Sequence, residues 1–137
     1  MRLVWLCSAV ICTTFPVMAQ EIGPEILDTF DNFALSNAVA SRCVRPDGAV
    51  LQNFVPNFQQ VSRSTAIYLK QRTPTATEAA VTKAMEDRYK QIDARVIAAI
   101  HEEGCDGPKV QEAVQLFRDL AKLDAAHRPK ENGPHPH

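Results

Sequence analysis

The chain has 137 residues, with 15 basic and 16 acidic side chains, a formal net charge of −1 and 45% hydrophobic residues. That balance excludes the basic stripe that nucleic acid or anionic lipid would require. The length is one domain's worth, enough to bury a single core near the small end of the usual range.

The N-terminus reads as an export signal. Met1-Arg2 supplies a short positive region, Leu3 to Phe15 is an apolar run, and Val17 and Ala19 stand at the −3 and −1 positions of a cleavage site before Gln20. The apolar run is too short for a comfortable span, which takes about 20 residues. Bulky Ile11 before Cys12 argues against lipidation. Residues 1–19 are therefore expected to be a cleaved signal peptide, and residues 20–127 the folded domain. Cleavage removes Arg2, Cys7 and Cys12, leaving 14 basic against 16 acidic residues and a net charge of −2. No later run approaches membrane-spanning length, so no direct span is expected after cleavage. A soluble periplasmic or secreted product is expected.

Every substantial segment after the signal repeats at the helical period, and none alternates like a strand. The first helix is predicted from Gly23-Pro24 to about Arg42-Cys43, with Ile26, Leu27, Phe30, Phe33, Ala34, Asn37, Ala38 and Ser41 on one face. The turn-forming Arg45-Pro46-Asp47-Gly48 follows it. The second is predicted over Asn53 to Arg72. Asn53 serves as its cap, Pro56 falls in its first turn, and Phe54, Val55, Phe58, Val61, Thr65, Tyr68 and Leu69 form its buried face. The third begins with a capping box at Thr75-Ala76-Thr77-Glu78. It runs ~28 residues, or ~42 Å, to Gly104, burying Val81, Met85, Tyr89, Ile92, Val96, Ala99 and Ile100. Glu86 and Lys90 are expected to pair on its outer side. The fourth starts at Gly107-Pro108, shows Val110, Ala113, Val114, Phe117, Leu120 and Ala121 on one face, and fades after His127. Residues 128–137, polar and proline-rich, are expected to be a disordered tail.

Four amphipathic helices with mostly short connections imply an all-α, up-down-up-down bundle. In that arrangement the first and third helices run parallel and end together, which brings Cys43 and Cys105 to one tip. These are the two cysteines left after signal cleavage, and in an exported protein they are expected to form a disulfide. On the chain-entropy model that bond contributes ~4 kcal/mol, a large share of a small domain's stability.

The segment His101-Glu102-Glu103-Gly104-Cys105 differs by one residue from the His-Glu-x-x-His zinc pattern. A metal site there would need both ligands in regular helix, yet Gly104 is the preferred residue for ending one. Cys105 is also claimed by Cys43, and a cation at His101 suits the helix C-terminus. The segment is therefore expected to be a helix end tied by a disulfide, without metal. No Cys-x-x-Cys-His haem motif is present. Met85 and His101 lie ~24 Å apart along one helix, too far to clamp one iron, and no cofactor is expected. No catalytic constellation stands out among the scattered serines and acids, so the chain is not expected to be an enzyme.

The apolar arcs are wider than single seams require. Leu51, Phe54, Ile67, Ile97, Leu116 and Leu123 are the surplus, and they are candidate partner-binding residues. Together these features point to an exported protein acting through protein contacts. Its most concrete form is an accessory subunit bracing a larger periplasmic or membrane-attached enzyme complex, such as a respiratory dehydrogenase. The alternatives are a free-standing periplasmic chaperone or inhibitor or immunity protein, and a carrier of haem or a small hydrophobic ligand.

Overall fold

A computed structural model of the protein describes residues 22–123. The expected signal peptide, with Cys7 and Cys12, and the expected tail at 128–137 lie outside the described residues. Within them the chain forms four helices and no strand: α1 (Glu25–Cys43), α2 (Gly48–Arg72), α3 (Glu78–Glu103) and α4 (Pro108–Lys122). No helix among the described residues is long and apolar enough to cross a membrane.

Two helix starts differ from the sequence reading. α2 begins at Gly48, five residues before the expected start, because Asp47 rather than Asn53 is its cap: the Asp47 carboxylate accepts from the Val50 N–H at 2.8 Å. Gly48 therefore opens the helix instead of closing the turn. The earlier start leaves Pro56 in the helix interior, where its missing N–H and its ring disturb the preceding turn. At α3 the cap is Thr77, whose hydroxyl accepts from Ala80 N–H at 3.1 Å, so the expected box built on Thr75 does not form. Two residues of register decide between the threonines, and Thr77 leaves Glu78 in the first turn beside the positive helix end.

α1 is the central element. It buries Phe30, Phe33, Ala34, Ser36, Ala38, Val39 and Ala40, on an arc wider than its expected stripe. Small residues at 34, 36, 38 and 40 let neighbouring helices come close, and the Ser36 hydroxyl is satisfied by donating to Phe33 C=O at 3.1 Å. The core is continuous. Val39, Val96, Val110 and Val114 pack near one end, and Phe33, Phe54, Phe117 and Ala121 in the middle. Phe30, Ala34 and Ile92 lie beyond. Phe54 belongs wholly to this interior, only 1% exposed, with its ring 4.4 Å from Phe117 and 5.3 Å from Phe33. Expected among the surface candidates, it is instead buried, because its helical phase points at α1 and α4. Val55, expected inside, is 45% exposed instead.

The order of contacts gives the directions of the helices. Between α1 and α2, Phe33 meets Phe54 while Phe30 meets Phe58, so one chain rises as the other falls. Between α1 and α3 the partners advance together, from Asp31–Arg88 through Asn37–Tyr89 to Arg42–Asp93. Both ion pairs are two-pronged, with Arg88 reaching Asp31 at 2.5 and 2.9 Å and Arg42 reaching Asp93 at 2.8 and 3.0 Å. α2 and α4 also advance together: Phe54 meets Phe117, and the Asn57 amide donates to the C=O groups of Leu120 and Leu123 at 3.2 and 2.9 Å.

The tips of α1 and α3 are joined by the disulfide Cys43–Cys105, with the two Cα atoms 5.4 Å apart. α3 reaches it by stopping at Gly104, whose φ of 74° and ψ of 176° suit glycine alone. Two residues on, Gly107 is needed for a different reason. A Cβ there would fall 2.3 Å from Cγ of Glu103, which folds back over the turn. The His101–Cys105 segment is thus a helix end, an obligatory glycine and a disulfide, with His101 exposed in the last turn.

Candidate functional site

α2 and α3 are the least embedded helices, and α2 buries only Phe54 and Thr65 in 25 residues. In 26 residues α3 buries only Val81, Ile92 and Val96, and it lies against α1 with a groove along each flank. The groove on the α4 side has a volume of about 530 Å³, with an apolar floor that includes Leu35, Val39, Val96 and Leu116. Leu116, expected on the surface, is half-buried there. Asp31, Arg95, Lys109 and Glu112 form its polar rim.

The flank facing α2 is more open and more apolar. Two adjoining hollows of about 440 and 590 Å³ share Ala66 and Thr82. Ile67 and Val81 line the first, and Phe30, Phe58, Met85 and Tyr89 the second. Successive helix residues turn by about 100°, which puts Leu51, Val55, Phe58, Ser62 and Ala66 on one side of α2. The same rule puts Glu86, Asp93 and Ile97 on one side of α3. Going back along α2 and forward along α3 from the hollows leads to Leu51 and Ile97. The hollows themselves run along α2 from Phe58 to Gln71, ~20 Å.

Five large apolar residues are exposed in the described chain: Leu51, Val55, Ile67, Ile97 and Leu123. Ile67 lines the first hollow, Leu51 and Val55 share the side of α2 that carries Phe58 and Ser62, Ile97 shares the side of α3 that carries Glu86, and Leu123 lies at the end of α4 beside Asn57. A concentrated apolar strip is more informative than scattered exposed leucines. Of the six residues singled out from the sequence, Ile67 lines the hollows, and Leu51 and Ile97 are exposed outside them. Phe54, Leu116 and Leu123 are placed elsewhere. Sequence reasoning missed the grouping of Val55, Ser62 and Ala66, although successive steps of 4, 7 and 4 residues from Leu51 mark a second stripe on α2, separate from the one through Phe54 and Val61.

The seam's walls carry opposite charge. Arg63 and Lys70 stand on the α2 wall, Glu78 and Glu86 on the α3 wall. Among the described residues Arg63, Glu78 and Glu86 make no ion pair; the four pairs present join Arg42–Asp93, Lys83–Asp87, Arg88–Asp31 and Lys122–Asp119. The expected Glu86–Lys90 pair is therefore replaced by Lys83–Asp87 one turn away, which leaves Glu86 free to face the seam. The Lys70 ammonium donates to the C=O groups of Pro74 and Ala76, fastening the turn into α3. On the outer side of α3 the hydrogen bond from Lys83 lowers the Asp87 carboxyl below the ordinary aspartate value and raises the Lys83 ammonium above its own.

Among the described residues no three His, Cys, Asp or Glu side chains converge as a metal-binding group would. The Cys105 sulfur is bonded to Cys43 and so is not a thiolate ligand. Comparison with protein-family models, curated proteins and solved structures finds no match to this chain.

Proposed function

We propose that this chain is an exported, non-catalytic helical subunit that docks on a larger periplasmic or membrane-attached enzyme complex through the seam between α2 and α3. One observation carries the reading: two adjoining hollows lie open between α2 and α3, and Phe30, Phe58, Ile67, Val81 and Met85 make their lining largely apolar. Export is supported by the signal-like residues 1–19 and by a disulfide, a bond that persists in oxidising compartments. The contact order along the helices supports the up-down-up-down bundle, in which α1 and α3 run parallel and their linked tips brace the seam from one end. A subunit of this kind contributes a shaped surface and no chemistry. The expected example is an accessory subunit of a respiratory dehydrogenase, with a free-standing chaperone or inhibitor as the competing assignment.

The test is co-purification of the processed protein from its native envelope fraction, beside a Val55→Asp/Ile67→Asp variant. Fixed stoichiometry with one enzyme complex, lost in the variant while its helical circular dichroism stays native, is the expected result. A protein that stays free, or a variant that associates equally well, refutes docking through the seam. The groove between α3 and α4 supports a second reading, a carrier of a small hydrophobic ligand, since its volume falls in the range of small-molecule sites. Lipid or haem found in the purified protein by mass spectrometry and absorbance would favour that reading.

A further inference from the structure

The two walls of the α2–α3 seam bear charges of opposite sign, and the two adjoining hollows between them are open and largely apolar. We infer that the occupant is an amphipathic α-helix of the partner protein, its apolar stripe flanked by acidic residues on one side and basic residues on the other. The inference rests on the docking reading and specifies what docks.

Three observations select this occupant. The two hollows run along α2 from Phe58 to Gln71, ~20 Å, matching a helix of about 13 residues. The seam is shallow, so it covers one side of whatever lies in it. A small ligand needs most of its surface enclosed, whereas an amphipathic helix needs only its apolar face covered. The seam is also concave: a second copy of the same face would leave a void between two hollows, while a helix fills a hollow with the side chains at i, i+3, i+4 and i+7. Phe58 and Ile67 along α2, with Met85 along α3, supply the apolar contact. Arg63 and Lys70 then face the occupant's acidic flank, and Glu78 and Glu86 its basic flank. Two charges on each wall fix which flank faces which helix, and therefore the direction in which the occupant lies.

The experiment uses two designed helical peptides with the same composition and the same leucine stripe. In one, lysines and glutamates are segregated to opposite flanks; in the other they are interleaved on both. Binding to the processed protein is read by fluorescence anisotropy at low and at about 0.5 M salt, where charge effects are largely screened. The segregated peptide is expected to bind about fivefold or more tightly, with the preference shrinking at high salt. Glu78→Lys/Glu86→Lys makes both walls basic and is expected to abolish the preference. Equal binding of the two peptides, or a preference that survives the double substitution, overturns the charge-matched helix. If that equal binding is lost in Val55→Asp/Ile67→Asp, seam docking stands while its charge assignment falls. Binding of neither peptide overturns the helical occupant, leaving the docking reading to be judged by co-purification. Sedimentation showing a dimer that both peptides fail to displace assigns the seam to a second copy and overturns the inference as well.

Discussion

Removing the disulfide tests how much of the fold depends on one covalent tie. Cys43 and Cys105 are 62 residues apart in sequence, and on the chain-entropy model closing a loop of that size in the unfolded chain is worth about 4 kcal/mol at 25 °C. Few contacts compensate when the bond is lost. α3 buries three residues, and the ion pairs tying it to α1 join partly exposed side chains, each worth about 1 kcal/mol at most. For a domain of this size 1 kcal/mol moves the melting temperature by roughly 4–8 °C, so Cys43→Ser/Cys105→Ser is expected to lower it by about 15–30 °C. The assay is thermal unfolding followed by circular dichroism at 222 nm, on the oxidised protein and on the double variant. Helix content at low temperature should be unchanged, because the bond acts mainly on the unfolded ensemble. A shift smaller than about 5 °C would refute the reasoning, since the tie would then be redundant with the packing around it.

Gly104→Ala is expected to cost about 1–3 kcal/mol, although an added Cβ would touch nothing within 4 Å; denaturant unfolding measures it, and a neutral result would mean that the backbone there relaxes freely. Pro56→Ala restores an N–H in the interior of α2 and is expected to stabilise by about 1–3 kcal/mol, read as a higher denaturant midpoint with an unchanged slope. NMR titration of Asp87 should find its carboxyl below the ordinary aspartate value, and Lys83→Ala should return it there. Because the folded value is the lower one, the pair's contribution is present at neutral pH and fades as pH falls through that lowered value; an unmoved Asp87 in the variant would disprove the pairing.

Much of the fold was legible because periodicity reports burial directly. The stripe of α4 was read in full, since Val110, Ala113, Val114, Phe117 and Ala121 are all buried and Gly107-Pro108 opens the helix as expected. The end of α3 was legible too, because few residues other than glycine adopt the backbone at 104. The start of α2 was not, since Asp47-Gly48 belongs equally to a turn and to a helix start, and only the placement of the Asp47 carboxylate on Val50 separates them. The central position of α1 was hidden for a different reason. Ser36 and Ala40 carry little hydrophobic signal in a sequence, yet they are buried because neighbours close in on them. The seam was half visible. Its apolar residues stand out as surplus, but which of them share a flank depends on how α3 is rotated against α1, and long-range partners such as Asp31–Arg88 and Asn37–Tyr89 set that rotation.

The placement of the cysteines also bears on the order of events in the cell. A chain that keeps all four, at 7, 12, 43 and 105, can be fully oxidised in three ways, and one cut before Gln20 in only one. Trimming ahead of oxidation would therefore turn a choice among isomers into a single outcome, with no shuffling enzyme required.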